Sequence, residues 1–454
     1  MRNVFGQMFT GLQTNLAAVA WKRWLELDDA QQRRDYRTYR EFYAGKHGVK
    51  LTERQASYLQ AETGIDFRLN YLALAVDMMA QRFNVISFDA PGAYGGKDGK
   101  LMEWWQRNRM DAVQYHATNQ TAVDGDTFVL VGWDSIKGQP VITHERAYDG
   151  FEGMSVIYSS TTSRKVAMAA KRWREIDPYT LDPFMRLNIY TPSQILRFAS
   201  SGESGKDWQP YEGDGPSVED WPVGIVPVVH LRFKDDGSNW GVSMLDDLIS
   251  PQMALNKAVV DVIEAADKTA FQIVTLKGGE PEIAPIGPGV ILYNVNSDAA
   301  WGHIPPADLQ KLIDLKNDFI ASIAQLSQIP LNYFQITGQV ASADTQEADD
   351  AGMAEKVESY SRSFGNGWED VMALAVAEAV VFGSGYAPLA VEDISTVWGP
   401  FNRVNKLSVK KAKAEIVGAL TNAGGSFEGA VAVAEFDEGD RDVLVRSDYE
   451  GGQL

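Results

Sequence analysis

Apolar residues are spaced in two different ways along the first half of the chain, and each spacing predicts a different element. A spacing near 3.6 residues predicts helices over Leu12–Tyr43, from Asn70 to about Phe83, and over Leu101–Val123. From Thr127 the spacing becomes two, in short segments separated by Gly, Pro and Asp, which predicts an antiparallel sheet. The segments predicted as strands are NVISF, TFVLVGW, PVITHERA, MSVIYSS, KVAMAAKRW, RLNIYT and VPVVHLRF. Residues 201–222 are predicted to be a polar loop, and the fold class is α+β.

The second half begins with two long amphipathic segments on either side of a proline-rich one. The segment 243–270 contains Ser250-Pro251, a pair suited to the start of a helix. The segment 306–328 carries its apolar residues on one stripe. Between them, 271–305 has two β-type runs around three prolines, which exclude a helix there. This predicts a two-helix rod with a small β-containing end.

The chain after the rod alternates between polar and helical patterns. Residues 334–347 are small and polar and predict a loop, and 348–383 predict a long helix with a bend or break at Gly365 and Gly367. Residues 384–454 contain a short basic helix, LSVKKAKAEIVGAL, and an end rich in Gly and acids.

Composition narrows the possible chemistry. The 454 residues include no cysteine, which excludes disulfides, thiolate nucleophiles and zinc–thiolate sites. The net charge of −19 weighs against a protein that adheres to nucleic acid through its phosphates. The longest apolar run, Val371–Phe382, is shorter than the roughly 20 residues that span a bilayer, so no membrane partner is expected.

Catalytic templates also fail. The HERAY segment at His144 has Tyr148 where a zincin helix needs its second histidine, and the Gly-rich segments lack P-loop spacing. We therefore predict no catalytic residue, no cofactor and no metal site. An acidic, aromatic-rich glycosidase stays open as an alternative, because the chain has twelve Trp and many carboxylates; the absence of a β/α repeat counts against it.

An amphipathic rod with no partner in its own chain buries its apolar stripe against copies of itself, because large exposed apolar patches are costly. Residues 341–400 hold eleven acids and two bases. If the copies close into a ring, a lumen lined by acids and small polar groups lets a duplex slide without adhering.

Three segments then resemble a known family. NYLALAVDMMAQRFNVISF, WGVSMLDDLISPQMALNKAVVDVIEAAD and IPLNYFQITGQVASADTQEADDAGMAEKVESYSRSF resemble portal proteins of tailed bacteriophages, of the siphophage type. The resemblance implies a head-to-tail connector: a homo-oligomeric ring, usually of twelve subunits, at one capsid vertex of the virion, assembled in the bacterial host cytoplasm. Double-stranded DNA passes through it in packaging and ejection. Its implied protein partners are the terminase large subunit, the head-completion or adaptor protein that replaces terminase, and the major capsid and scaffolding proteins.

The resemblance also assigns roles to segments. Residues 1–242 correspond to the wing, 243–270 and 306–328 to the stem helices, and 271–305 to the clip. Residues 334–347 correspond to the tunnel loop, 348–383 to a long wing helix, and 384–454 to the wing return and a short crown.

Candidate site residues follow from these roles. The DNA-facing residues of the tunnel loop are Gly338, Gln339, Val340, Ser342, Asp344 and Thr345. The stem lysines either face DNA or pair with acids of neighbouring subunits, and pairing is favoured; they are Lys257, Lys268, Lys311 and Lys316. Docking in the clip is assigned to Lys277, Glu280 and Glu282. Three alternatives stay open: a solvent-exposed loop without DNA contact, a head–tail adaptor, and a minor capsid protein.

Overall fold

A computed structural model describes most of the chain. The described residues are 35–49, 53, 69–159, 165–200, 208–213, 215–235, 237–270, 274–277, 300–303, 308–334, 343–401, 406–424, 426, 427 and 429. Helices and strands are both abundant in them, which confirms the α+β class.

The first part of the fold is helical, as the 3.6-residue spacing predicts. Its elements are α1 (Tyr36–Tyr43), α2 (Tyr71–Ala80), β1 (Val85–Asp89), α3 (Lys100–Arg107) and α4 (Met110–Asp124). The Asn70 side chain accepts a hydrogen bond from the Ala73 amide and so caps α2. Of the helix predicted over Leu12–Tyr43, the residues before Asp35 lie outside the described part of the chain.

The single helix predicted over Leu101–Val123 is wrong, because the chain turns between α3 and α4. Arg109 has a positive φ of 54°, which interrupts the helix. The Asn108 amide donates to the carbonyl oxygens of Trp104 and Pro140, and its oxygen accepts from the Ile142 amide. These bonds draw the chain toward the strand that contains Pro140 and Ile142, and the two helices separate there.

Antiparallel strands follow, where the spacing of two predicts them. They are β2 (Asp126–Asp134), β3 (Gln139–Arg146), β4 (Gly153–Tyr158), β5 (Val166–Ile176), β6 (Pro183–Tyr190), β7 (Gln194–Ser200), β8 (Trp208–Pro210), β9 (Val218–Asp220), β10 (Val228–Arg232), β11 (Lys234–Asp235) and β12 (Gly241–Val242). A three-stranded sheet has the order β10-β2-β3, and a six-stranded sheet has the order β4-β5-β6-β7-β8, with β9 also paired to β7. Two predictions fail here. The sequence did not predict β7, and the supposed loop 201–222 contains β8 and β9, which pair with it.

The predicted rod is present in outline. Helices α5 (Ile249–Ala270) and α6 (Leu309–Ser327) pack along each other, and between them β13 (Val274–Lys277) pairs with β14 (Ala300–His303). The predicted start of α5 at Ser250-Pro251 is close to the observed one, because Pro251 lies in the first turn. Asp308 caps α6 through the Gln310 amide.

The last elements are α7 (Ala343–Phe382), β15 (Ser395–Trp398) and α8 (Lys406–Asn422). Helix α7 begins at Ala343 rather than at 348, and it is not broken at Gly365 or Gly367. A Cβ at position 367 would collide with the Leu231 side chain, so glycine serves close packing of α7 on β10. Strand β15 returns to pair with β1, and α8 confirms the helix predicted from LSVKKAKAEIVGAL.

Two buried clusters organise this frame. The first, which we call the tryptophan core, surrounds Trp104, Trp105 and Trp368 where α3 and α7 meet the β10-β2-β3 sheet. The second joins α2, the start of α5, the end of α6 and the first half of α7. The second cluster therefore lies where the two-helix rod meets the rest of the protein.

Candidate functional site

The base of α5 is attached to the segment before α2 by two buried amide side chains. Gln252 accepts a hydrogen bond from the Tyr71 amide and donates to the Leu69 carbonyl, at 3.0 and 2.8 Å. Asn256 accepts from the Leu69 amide at 3.0 Å. Because Gln252 and Asn256 are four residues apart on α5, they lie on one face and together bond to backbone groups of Leu69 and Tyr71. This contact fixes where the rod leaves the helices at the start of the fold.

A second polar contact joins the end of α6 to α7, which we call the Arg82 junction; it consists of Arg82, Tyr333, Asp350 and Phe401. Arg82 follows α2, and its guanidinium contacts an Asp350 oxygen at 3.1 Å and donates to the Phe401 carbonyl at 2.9 Å. The Tyr333 hydroxyl donates to Asp350 at 3.0 Å. The side chains of Arg82 and Asp350 are buried, so each charge depends on its partners here.

Lys356 adds a third contact between α7 and the rod. Its ammonium donates to the Ser327 carbonyl at 3.0 Å, at the C-terminal end of α6, where the helix dipole favours a positive charge. Burial, helped by the nearby charge of Lys234 and opposed by Asp247, lowers the pKa of Lys356 to about 8. Lys234, Asp247 and Lys356 line a cavity of about 190 Å³ between the rod and α7.

In the sequence, the predicted tunnel-loop residues lie between Tyr333 and Asp350, which the Arg82 junction joins. Gly338, Gln339, Val340 and Ser342 lie outside the described part of the chain. Asp344 and Thr345 are in the first turn of α7, so the loop boundary predicted at 347 is wrong by several residues.

The four lysines predicted to lie in the stem occupy different positions along the two rod helices. Lys257 pairs with Asp261 one turn away on α5, and Lys311 is 3.4 Å from Asp308 at the start of α6. Lys316 is half-buried on α6, and Lys268 is in the last turn of α5. Within one chain, two of the lysines are thus paired inside their own helix, and their pairing across subunits stays a prediction.

Of the predicted clip residues, Lys277 is exposed at the end of β13, and Glu280 and Glu282 lie outside the described residues. Among the rod residues whose burial the structure describes, the fully covered ones lie at its base. Leu255, Asn256 and Val260 are buried on α5, whereas every residue from Asp261 to Ala266 is partly exposed. On α6 the buried residues lie at 320 and beyond, and Leu315 is 44% exposed.

Sequence reasoning missed the residues that attach the rod. Gln252 and Asn256 interrupt the apolar stripe of α5 at a four-residue spacing, and that interruption was a usable signal. Arg82 and Asp350 gave no such signal, because they are 268 positions apart and only the tertiary fold brings them together.

Among the described residues, no group of three His, Asp or Glu side chains could hold a metal ion. Every helix in the described ranges is too short or too polar to cross a bilayer. The carboxyl of Glu378 on α7 is fully buried, its two oxygens have no hydrogen-bond partner in the described chain, and burial raises its pKa to about 8.

Comparisons with known proteins cover most of the chain. Residues 23–421 match the model of a protein family described as phage portal protein, SPP1 Gp6-like. The chain is similar to a portal protein of Mycobacterium phage D29, with 24% identity over 354 residues, 73% of this chain and 68% of the relative. A portal protein of Mycobacterium phage L5 is 21% identical over 355 residues, with the same shares covered.

Proposed function

Because the chain belongs to the SPP1 Gp6-like family of phage portal proteins, which are structural proteins of the virion, we propose that copies of it form a ring through which double-stranded DNA passes. The family membership confirms the resemblance predicted from the sequence. The proposed ring has twelve subunits and occupies one capsid vertex. Its proposed partners are the terminase large subunit, then a head-completion or adaptor protein, with the major capsid and scaffolding proteins around it.

The observation that carries this proposal is the exposure of apolar side chains on the rod beyond its base. Beyond Val260 on α5 and before Ile320 on α6, the two helices contact each other but leave apolar side chains partly exposed. Exposed apolar surface of this kind is stabilised by contact with further copies, and identical copies with a head-to-tail contact close into a ring. The rods then form the wall of the channel.

The charge of the chain supports passage rather than adhesion. At a net charge of −19 per copy, a ring repels phosphates over most of its surface. The proposed DNA-facing residues are Gly338, Gln339, Val340, Ser342, Asp344 and Thr345; Gln339, Ser342 and Thr345 offer uncharged hydrogen-bonding groups, which touch a moving backbone without sequence preference. Lys257, Lys268, Lys311 and Lys316 are proposed to pair across subunits, and Lys277, Glu280 and Glu282 to lie in the docking surface of the clip.

Replacement of residues 338–342 by a Gly/Ser linker of the same length tests the DNA role. We expect rings to form normally and DNA packaging or retention to fall, because the groups that contact the duplex are gone. As a control, a four-residue Gly/Ser linker replaces residues 135–138 in the exposed turn between β2 and β3, and packaging by this variant is expected to be normal. Normal packaging by the 338–342 variant would contradict the assigned role of the loop.

A further inference from the structure

Tyr333 and Asp350 flank the predicted tunnel loop in the sequence, and both belong to the Arg82 junction. After α6 the chain passes through a short 3-10 turn at Leu331–Tyr333, and it enters α7 at Ala343. Tyr333 on the first side and Asp350 on the second are joined by a hydrogen bond of 3.0 Å. In the sequence, the residues of the predicted loop lie between these two positions.

Arg82 connects this pair to the wing. Its guanidinium contacts Asp350 at 3.1 Å and the Phe401 carbonyl at 2.9 Å, so one side chain joins the end of α2, the start of α7 and the segment after β15. Apolar packing lies beside it, because Ile329, Phe334, Met353 and Val357 belong to the same buried cluster. A shift of Tyr333 or α7 relative to α2 would separate buried charged groups from their partners, which is strongly unfavourable.

We propose that Arg82, Tyr333 and Asp350 are positioning residues that fix both ends of the tunnel loop to the wing helix α2. The loop is then oriented by the wing as well as by the stem. The Lys356 contact with Ser327 acts in the same direction, since it ties α7 to the last turn of α6. This inference rests on the proposed DNA role of the loop for its functional consequence, but not for its structural content.

Tyr333→Phe is the most selective test, because it removes one hydroxyl and keeps the half-buried ring. In full-length assembled protein we expect amide hydrogen exchange to rise about tenfold in residues 329–333 and 350–356, since a hydrogen bond to a charged group is lost. Asp350→Asn, which also removes the charge that faces Arg82, is expected to give a larger rise. Tyr43→Phe is the matched control, because Tyr43 donates to Asp77 at 2.8 Å within the wing helices; exchange in 329–333 and 350–356 is expected to be unchanged in it.

DNA packaging separates positioning from a general structural role. We expect Tyr333→Phe to reduce packaging in the natural background, and to cause no further loss once residues 338–342 are replaced by the linker, because both changes act through the loop. An equal additional loss in the linker background, or unchanged exchange in Tyr333→Phe, would overturn the positioning role. If the linker variant packages normally, the DNA role of the loop fails instead, and the exchange measurement still decides whether the junction fixes the loop ends.

Discussion

The tryptophan core and the Arg82 junction are both buried, but they treat polar groups in opposite ways. In the tryptophan core, Trp105 packs edge-on against Trp368 at 5.1 Å, and the indole N–H groups of Trp104 and Trp105 have no hydrogen-bond partner in the described chain. In the Arg82 junction the guanidinium, the carboxylate and the hydroxyl all bond to one another. Non-directional packing gives the core its stability, whereas directional bonds give the junction a defined orientation.

The same contrast separates two buried side chains on long helices. Glu378 on α7 has neighbours in sequence, Leu374, Ala375 and Ala379, that belong to the tryptophan core, and its carboxyl has no partner. Gln252 on α5 is equally buried, and both ends of its amide bond to backbone groups. Removal of the ionisable carboxyl at position 378 should therefore stabilise the protein in alkaline solution, whereas removal of the amide at position 252 should destabilise it.

Trp368→Ala should have the largest effect. The side chain is fully buried, and a truncation of this kind leaves a cavity that costs about 3–5 kcal/mol of unfolding free energy. Chemical denaturation of the variant measures the loss. Ile136→Ala is the control, because Ile136 is 96% exposed and its truncation should change the unfolding free energy by less than about 0.5 kcal/mol. Equal stability of the two variants would contradict the packing role of the core.

Glu378→Gln should stabilise the protein in alkaline solution. The folded pKa is raised to about 8 from the ordinary 4.5, so the folded state keeps a proton that the unfolded state loses as pH rises between these values. The unfolding free energy therefore falls by on the order of a few kcal/mol as the pH rises from 4.5 to about 8, and this loss is absent below pH 4.5. The variant should lose that pH dependence.

The unfolding free energies of the natural protein and of Glu378→Gln, each measured at pH 5 and at pH 9, test this pH dependence. Glu355→Gln, an exposed position on the same helix, is the control and should follow the natural protein at both pH values. A Glu378→Gln protein that still loses the same stability between pH 5 and pH 9 would show that the buried carboxyl is not the cause.

Gln252→Leu should destabilise the base of the rod by a smaller amount. It leaves the Tyr71 amide and the Leu69 carbonyl without their bonds, at roughly 1–3 kcal/mol for an unsatisfied buried group. Thermal or chemical unfolding shows the loss, and amide exchange at residues 69–71 should rise. Gln325→Leu, at an exposed position of α6, should leave both quantities unchanged. No loss at position 252 would mean that packing alone attaches the rod.

An element could be predicted from the sequence where the residues that determine it are close neighbours in the chain. The α2 helix, most strands and the two rod helices follow from spacing and end signals, because these act over a few residues. The break at Arg109 could not be predicted, since it follows from bonds between Asn108 and Pro140, 32 residues away. The uninterrupted α7 was missed for a similar reason: Gly367 is explained by its close approach to Leu231 on another element.

The candidate site divides in the same way. The two rod helices were visible as patterns and are present in the structure, whereas the role of the loop after them stays a prediction. The Arg82 junction was invisible, because charged residues are common in this chain and nothing local marks the pair that becomes buried together. Directional contacts between distant segments are therefore what the structure adds to the sequence.

The central claim is that the chain assembles into a closed ring with a channel, and the mass of the purified protein in solution, together with negative-stain images, tests it most directly. Twelve copies of a 50.1 kDa chain weigh about 600 kDa. We predict a particle near that mass, with a central opening in end-on views. A monomer at all concentrations, or a particle with no central channel, would contradict the account.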